Sequence, residues 1–143
     1  MNRSKLRENI FKLLYTAEFQ EKEEMPQQMS LYFTYSDDND EDEEVTVSEK
    51  DQTYMEEKYH HVTEHIPEID EMLNRTSEGW KTTRKVDLAI LRLAVYEMKF
   101  DEDVPVGVAI NEAVELAKRF GRDQSPSFIN GILGKLAREE DEK

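Results

Sequence analysis

The sequence predicts an all-α fold of about seven helices. Three observations carry this. Apolar residues recur at three- and four-residue steps along most of the chain, which places them on one helical face. No stretch alternates apolar and polar residues between turn signals, as half-buried strands do. Glycines number only five, and prolines and serines stand at several of the helix starts that the periodic runs require.

Leu6, Ile10, Leu13, Leu14 and Ala17 predict a first helix from about 4 to 22. Pro26 opens a short second helix through Met29, Leu31, Tyr32, Phe33 and Tyr35. The run from Asp37 to Glu44 follows. Its like charges repel and it offers nothing apolar, so a mobile acidic loop is expected over about 37–47. Ser48, with Asp51 three residues on, marks the next helix start, continued by Tyr54, Met55, Lys58, Tyr59 and Val62. Pro67 begins a further helix with Ile66, Ile69, Met72 and Leu73, and 74–79 reads as a connection. Val86, Leu88, Ile90, Leu91, Leu93, Ala94, Val95 and Met98 predict a helix apolar on most sides, the central buried one. After a turn over 101–104, Pro105 occupies a first helical position. Val108, Ala109, Ile110, Ala113, Val114, Leu116 and Ala117 follow, closed by Gly121 as a C-terminal cap. Ser125 and Pro126 read as N-cap and first helical residue of a last helix carrying Phe128, Ile129, Ile132, Leu133 and Leu136.

The 143 residues fit one domain with a real core. The absence of cysteine excludes disulfides, thiolate chemistry and Cys-type zinc sites. No apolar run approaches the roughly 18 residues that cross a bilayer. The N-terminus lacks a cleavable signal pattern, so a soluble cytoplasmic protein without membrane attachment is expected. The net charge of −14 opposes nucleic-acid binding at first sight, but the charge is unevenly spread. Residues 1–16 carry +3, 17–78 carry −16, 79–138 carry +2 and 139–143 carry −3. A face-specific polyanion binder needs such asymmetry. A plainly solubilising acidic surface accounts for it as well.

Catalytic constellations are nearly absent. His60, His61 and His65 lie on one predicted helix, but no HExxH string and no third ligand accompany them. Asp38, Asp40 and Asp42 alternate without the glycine that a calcium loop requires. Neither a catalytic residue, a metal nor a cofactor is therefore expected. Asn111 and Asn130 interrupt apolar helices, and the simplest expectation is that they tie helices together, with Glu97 joining them. Lys81, Arg84 and Lys85 form a basic cluster before the central helix, suited by chemistry to phosphate.

Several strings are more specific. Ile90-Leu91-Arg92-Leu93-Ala94-Val95-Tyr96-Glu97-Met98, then Val108-Ala109-Ile110-Asn111-Glu112-Ala113-Val114-Glu115-Leu116-Ala117-Lys118 with Phe120-Gly121, then Phe128-Ile129-Asn130-Gly131-Ile132-Leu133, occur in this order. Together with Arg7-Glu8 and Leu14-Tyr15 they resemble the NusB family, strongly over 84–137 and weakly over 20–55. The resemblance implies two small helical bundles in one domain and no catalytic activity. It also implies binding of the boxA element of nascent ribosomal RNA transcripts together with a small-subunit ribosomal protein, NusE, within an RNA polymerase antitermination complex. Residue by residue it implies RNA contacts at Arg3, Lys5 and Arg7, at Lys118 and at Phe128, and partner contacts at Tyr15 and Asp87. Two other readings stay open: a helical adaptor that binds proteins only, and an RNA-binding domain related to those fused to ribosomal RNA methyltransferases.

The acidic run generates one prediction. Residues 38–43 offer no apolar side chain to bury, so their deletion leaves thermal stability nearly intact. A loss above about 2 kcal/mol in a denaturant titration would show that the segment is packed or ligand-bound.

Overall fold

In a computed structural model of the chain, residues 1–19, 24–29, 47–76 and 83–141 are described. They form α1 (Arg3–Ala17), a short α2 over 25–29, α3 (Glu49–Glu64), α4 (Ile66–Thr76), α5 (Lys85–Phe100), α6 (Val106–Phe120) and α7 (Ser125–Asp141). No strand occurs among the described residues. The chain divides into two compact units, Met1–His61 and Val62–Lys143. Residues 37–46 of the expected acidic loop, the distal part of the second predicted helix and Lys81 lie outside the described residues.

In the first unit, α1 starts three residues before its apolar pattern because Asn2 caps it. Asn2 is extended (φ −77°, ψ 169°), and its Oδ1 accepts the Lys5 N–H at 2.8 Å. The α-helix ends at Ala17, short of the expected 22, and passes into a turn over 18–19. Ile10, Phe11, Leu13 and Leu14 are buried in the core, with Met25 and Met29 of α2 and Met55 and Tyr59 of α3. The α3 start is as its sequence predicts: Ser48 Oγ accepts the Asp51 N–H at 3.1 Å. Burial pushes the Tyr59 hydroxyl above its ordinary value of 10.0, and the charge of Glu18 adds to this.

Charged groups also enter this unit's interior. Glu8 is 2% exposed, and Lys5 and Lys12, one turn to either side, reach its Oε2 at 3.3 and 3.2 Å. Burial opposes the charged carboxylate, but Lys12 and then Lys5 outweigh it, and Glu8 is held below its ordinary 4.5. Both lysines keep more than a third of their side chains in water, so only the acid bears the full desolvation cost.

The second unit is built on α5. Ten of its sixteen residues are buried, including Asp87, Tyr96 and Glu97 alongside the apolar run. It packs against α4, α6 and α7, and α6 packs along α7. The partners present single faces: Ile69 and Leu73 of α4, Ala109, Ala113, Leu116 and Ala117 of α6, and Ile129, Ile132, Leu133 and Leu136 of α7. The small alanines of α6 let the helix axes approach closely. Two polar ties set α4 in place. The Arg92 guanidinium donates from Nε and Nη2 to both carboxylate oxygens of Asp70, at 3.1 and 3.0 Å. Lys135 Nζ caps the α4 C-terminus through the Thr76 carbonyl at 3.2 Å.

Two local expectations are corrected. Pro105 precedes the first helical residue of α6 instead of occupying it, with φ −59° and ψ 144°. Asn111 and Asn130 do not tie helices together: both are exposed, because the apolar faces of α6 and α7 rotate them outward, and only Glu97 of that trio is buried. Gly121 is the C-terminal cap of α6 that the sequence predicts, in an extended conformation (φ −91°, ψ −170°), its N–H bonding the Ala117 carbonyl. The requirement for glycine there is steric. A Cβ there would stand 2.6 Å from Ser125 Cβ and 2.8 Å from the Ala117 carbonyl oxygen.

The depressed Glu8 carboxyl links stability to pH. Because its folded value lies below the unfolded one, the contribution is complete above about 4.5 and is lost as pH falls through the folded value. Glu8→Gln should therefore cost about 1–3 kcal/mol at neutral pH, and the gap between the two proteins should close in acid. Chemical denaturation across pH 2–7 measures it; a gap that stays constant would show that charge at Glu8 contributes nothing.

Candidate functional site

The N-terminal basic segment is less uniform in space than in sequence. Arg3, in the first turn of α1, is exposed. Lys5 is half-buried and paired with Glu8. Arg7 is only 6% exposed. The helical repeat does not explain the split, since residues four apart share a face; Arg3 is the first residue of α1, at its exposed end, whereas Arg7 lies one turn further in, on the side of Ile10 and Leu14. This basic face thus offers Arg3 outright and Lys5 in part, while Arg7 is an interior residue.

Further along α1, Tyr15 stands half-buried between two aromatic neighbours. Phe11 stacks on it at 6.4 Å between centroids, and Phe19 meets it edge-on at 5.1 Å. Phe19 is 57% exposed, the largest value among the exposed large hydrophobic residues. Phe11, Tyr15 and Phe19, spaced four apart, make an aromatic ladder that runs from the core to the surface.

In the second unit, Arg84 and Lys85 are exposed at the α5 N-terminus. Arg84 is the N-cap and makes no side-chain capping bond. Lys118 is exposed near the end of α6 and pairs with Glu115 at 3.2 Å. Phe128 is half-buried in the first turn of α7. Asp87 is 7% exposed. Its Oδ2 accepts a hydrogen bond from Ser125 Oγ at 3.1 Å, and its Oδ1 is shielded from solvent, with no hydrogen-bond partner among the described residues. The structure thus joins Asp87 to the start of α7, a link that spacing alone could not reveal across 38 residues. Ser125 does not act as the expected N-cap: its hydroxyl accepts the Arg122 N–H at 2.9 Å and donates to α5.

Among the described residues, no group of three or more His, Asp or Glu side chains could hold a metal ion, and no helix is long and apolar enough to cross a membrane. His60 and His61 are exposed, while His65 lies 4.3 Å from the Phe100 ring and 5.8 Å from that of Tyr96.

Comparison with known proteins bears on this arrangement directly. The NusB family model matches residues 4–138. The chain belongs to the NusB family. Transcription antitermination protein NusB of Agathobacter rectalis is 48% identical over 139 residues, covering 96% of this chain and all of the relative. The protein of the same name from Lachnoclostridium phytofermentans is 44% identical, covering 95% and 98%. Among solved structures, T. maritima NusB superimposes with a TM-score of 0.78 at 32% identity over 97% of this chain and 92% of that one. The antitermination factors NusB and NusE in complex with dsRNA match at a TM-score of 0.75 and 20% identity, over 96% of each chain, a likeness of fold.

Within this NusB-family chain, the opposite burial of two N-terminal arginines makes a sharp prediction. Arg3→Ala should leave the melting temperature unchanged, whereas Arg7→Ala should lower it by about 4 °C or more. Thermal melts on both variants check this; an Arg7→Ala protein with wild-type stability would show that its burial contributes nothing to the fold.

Proposed function

We propose that this protein is a transcription antitermination factor that binds boxA-type RNA together with the ribosomal protein NusE, and that it works in the cytoplasm without catalytic activity of its own. The observation that carries the reading is the 48% identity to a transcription antitermination protein over its whole length. The fold likeness to a NusB–NusE–dsRNA assembly is in keeping with it.

The chemistry of the surface supports a division of labour. Arg3, Lys5, Arg84, Lys85 and Lys118 are solvent-accessible cations, and with Lys81 they supply the phosphate contacts. A single strand releases counterions to such residues, and its splayed bases stack on aromatic rings. Phe128, half-exposed at the start of α7, is the ring placed for that stacking. Arg7 contributes from within the helix that presents Arg3. On the partner side, Tyr15 and its exposed neighbour Phe19 form an amphipathic aromatic edge of the kind that anchors protein interfaces. Asp87 displays almost no carboxylate to a partner, so its role is better sought inside the chain.

Net charge explains why two proteins are needed. At −14 the isolated chain gains little from long-range attraction to RNA. A cationic ribosomal protein supplies that attraction while docking on an acidic neighbour.

If both proteins touch one RNA and each other, each must favour the other's binding, because coupling free energy is reciprocal. BoxA RNA should therefore bind the NusE complex at least about tenfold tighter than the lone chain, roughly 1.4 kcal/mol. Tyr15→Ala should reduce this gain while leaving the lone chain's weaker RNA binding largely intact. Anisotropy titrations with and without NusE measure both; equal RNA affinity in the two would sink the cooperative reading, and a fall in melting temperature with both affinities would make Tyr15 a core residue.

A further inference from the structure

The turn between α6 and α7 is fastened by bonds that a simple helix connection does not need. Arg122 and Ser125 are tied twice: the Ser125 N–H donates to the Arg122 carbonyl at 2.9 Å, and the Arg122 N–H donates to Ser125 Oγ at 2.9 Å. Gly121 closes the same turn so tightly that a Cβ there would lie 2.6 Å from Ser125 Oγ. A hydroxyl has one proton to donate, and Ser125 gives it to Asp87 Oδ2 at 3.1 Å. The acceptor is a carboxylate, so the bond is charge-assisted and strong for its size. Asp87 belongs to α5, the most thoroughly buried helix of the unit. One turn after Ser125 comes Phe128, whose N–H bonds the Gln124 carbonyl at 3.1 Å.

We propose that Asp87 and Ser125 are positioning residues for the nucleic-acid contact at Phe128, holding the first turn of α7 against the rigid α5 so that the ring stands ready for a base. The inference rests on the RNA-binding reading of Phe128 given above. Its physical basis is preorganisation. The first turn of a helix has N–H groups without intrahelical partners and frays easily. The residues leading into this one, Arg122, Asp123 and Gln124, are all exposed and add no apolar anchor. A turn bolted to α5 pays its ordering cost during folding; a loose turn pays it when RNA binds, and affinity falls. The carboxylate of Asp87 acts here as a hydrogen-bond acceptor, and its negative charge is not displayed to a partner. An asparagine at this position retains an acceptor oxygen for Ser125, whereas an alanine does not.

The test uses the full-length chain and a single-stranded boxA-type RNA oligonucleotide, without NusE, followed by fluorescence anisotropy, with circular dichroism establishing that each variant is folded. Ser125→Ala and Asp87→Ala should each weaken binding about tenfold, comparable to the loss of one base–aromatic stack. The salt dependence should stay at its wild-type slope, because no phosphate contact is removed. In a Phe128→Ala background Ser125→Ala should have no further effect, since residues that act through one contact are not additive. Asp87→Asn should bind within about twofold of wild type. Should Ser125→Ala fail to fold, Asp87→Ala breaks the same bond from the α5 side. Equal losses from Ser125→Ala with and without the Phe128 ring, or an Asp87→Asn protein as weak as Asp87→Ala, would overturn the positioning role and leave the RNA-binding reading standing. A wild-type chain that binds no RNA would overturn that reading and this inference together.

Discussion

The burial of α5 on nearly every side is the constraint from which the second unit follows. A helix with ten buried residues cannot be satisfied by one neighbour, so α4, α6 and α7 each contribute an apolar face to it. Because so much of it is covered, polar residues on its buried and half-buried positions must find partners within the protein. Arg92 does so through Asp70, and Asp87 through Ser125. The same demand that fills the core thus fixes where α4 ends up and how the α6–α7 turn is held.

The first unit solves a different problem. Its leading helix must carry cations toward solvent while sealing a core of Ile10, Phe11, Leu13 and Leu14. The acid that balances it, Glu8, sits inside with Lys5 and Lys12 folded over it. This arrangement lowers the free cationic charge of the segment, because Lys5 is partly neutralised by its own helix. Such a surface suits assisted recognition: a modest set of phosphate contacts gains affinity when a second, more basic protein lies on the same RNA. The aromatic ladder from Phe11 to Phe19 adds an apolar edge that runs from the core to the surface of the same helix.

Much of this was legible in the sequence for physical reasons that concern periodicity. The apolar repeats of α1, α5, α6 and α7 located the helices and most of their buried faces, and the Ser48–Asp51 spacing marked the start of α3. The strings around Ile90, Asn111 and Phe128 carried the family. What misled was local chemistry read without its neighbours. Ser125 before Pro126 has the form of a cap, yet its hydroxyl serves another helix. Asn111 and Asn130 stand beside apolar residues in the sequence and face water in the fold, because adjacent positions on a helix are 100° apart. Gly121, by contrast, was read correctly as the cap of α6, and close packing against Ser125 and Ala117 is what requires it.

The sequence by itself determined the helical class, the order of the helices, the concentration of acid in the middle of the chain and the membership of the family, since each of these depends on residue type and short-range spacing. Only the tertiary structure decided which charges are available. Arg3 and Arg7 are alike in the sequence and four residues apart, but one is exposed and the other buried. Nothing in the spacing of Asp87 shows that it is an internal acceptor for a residue 38 positions away. The reason is that helical pattern tells which face is apolar but not how deeply its edges are covered. That depth is set by the helices that pack against it, and so by contacts between residues far apart in the chain.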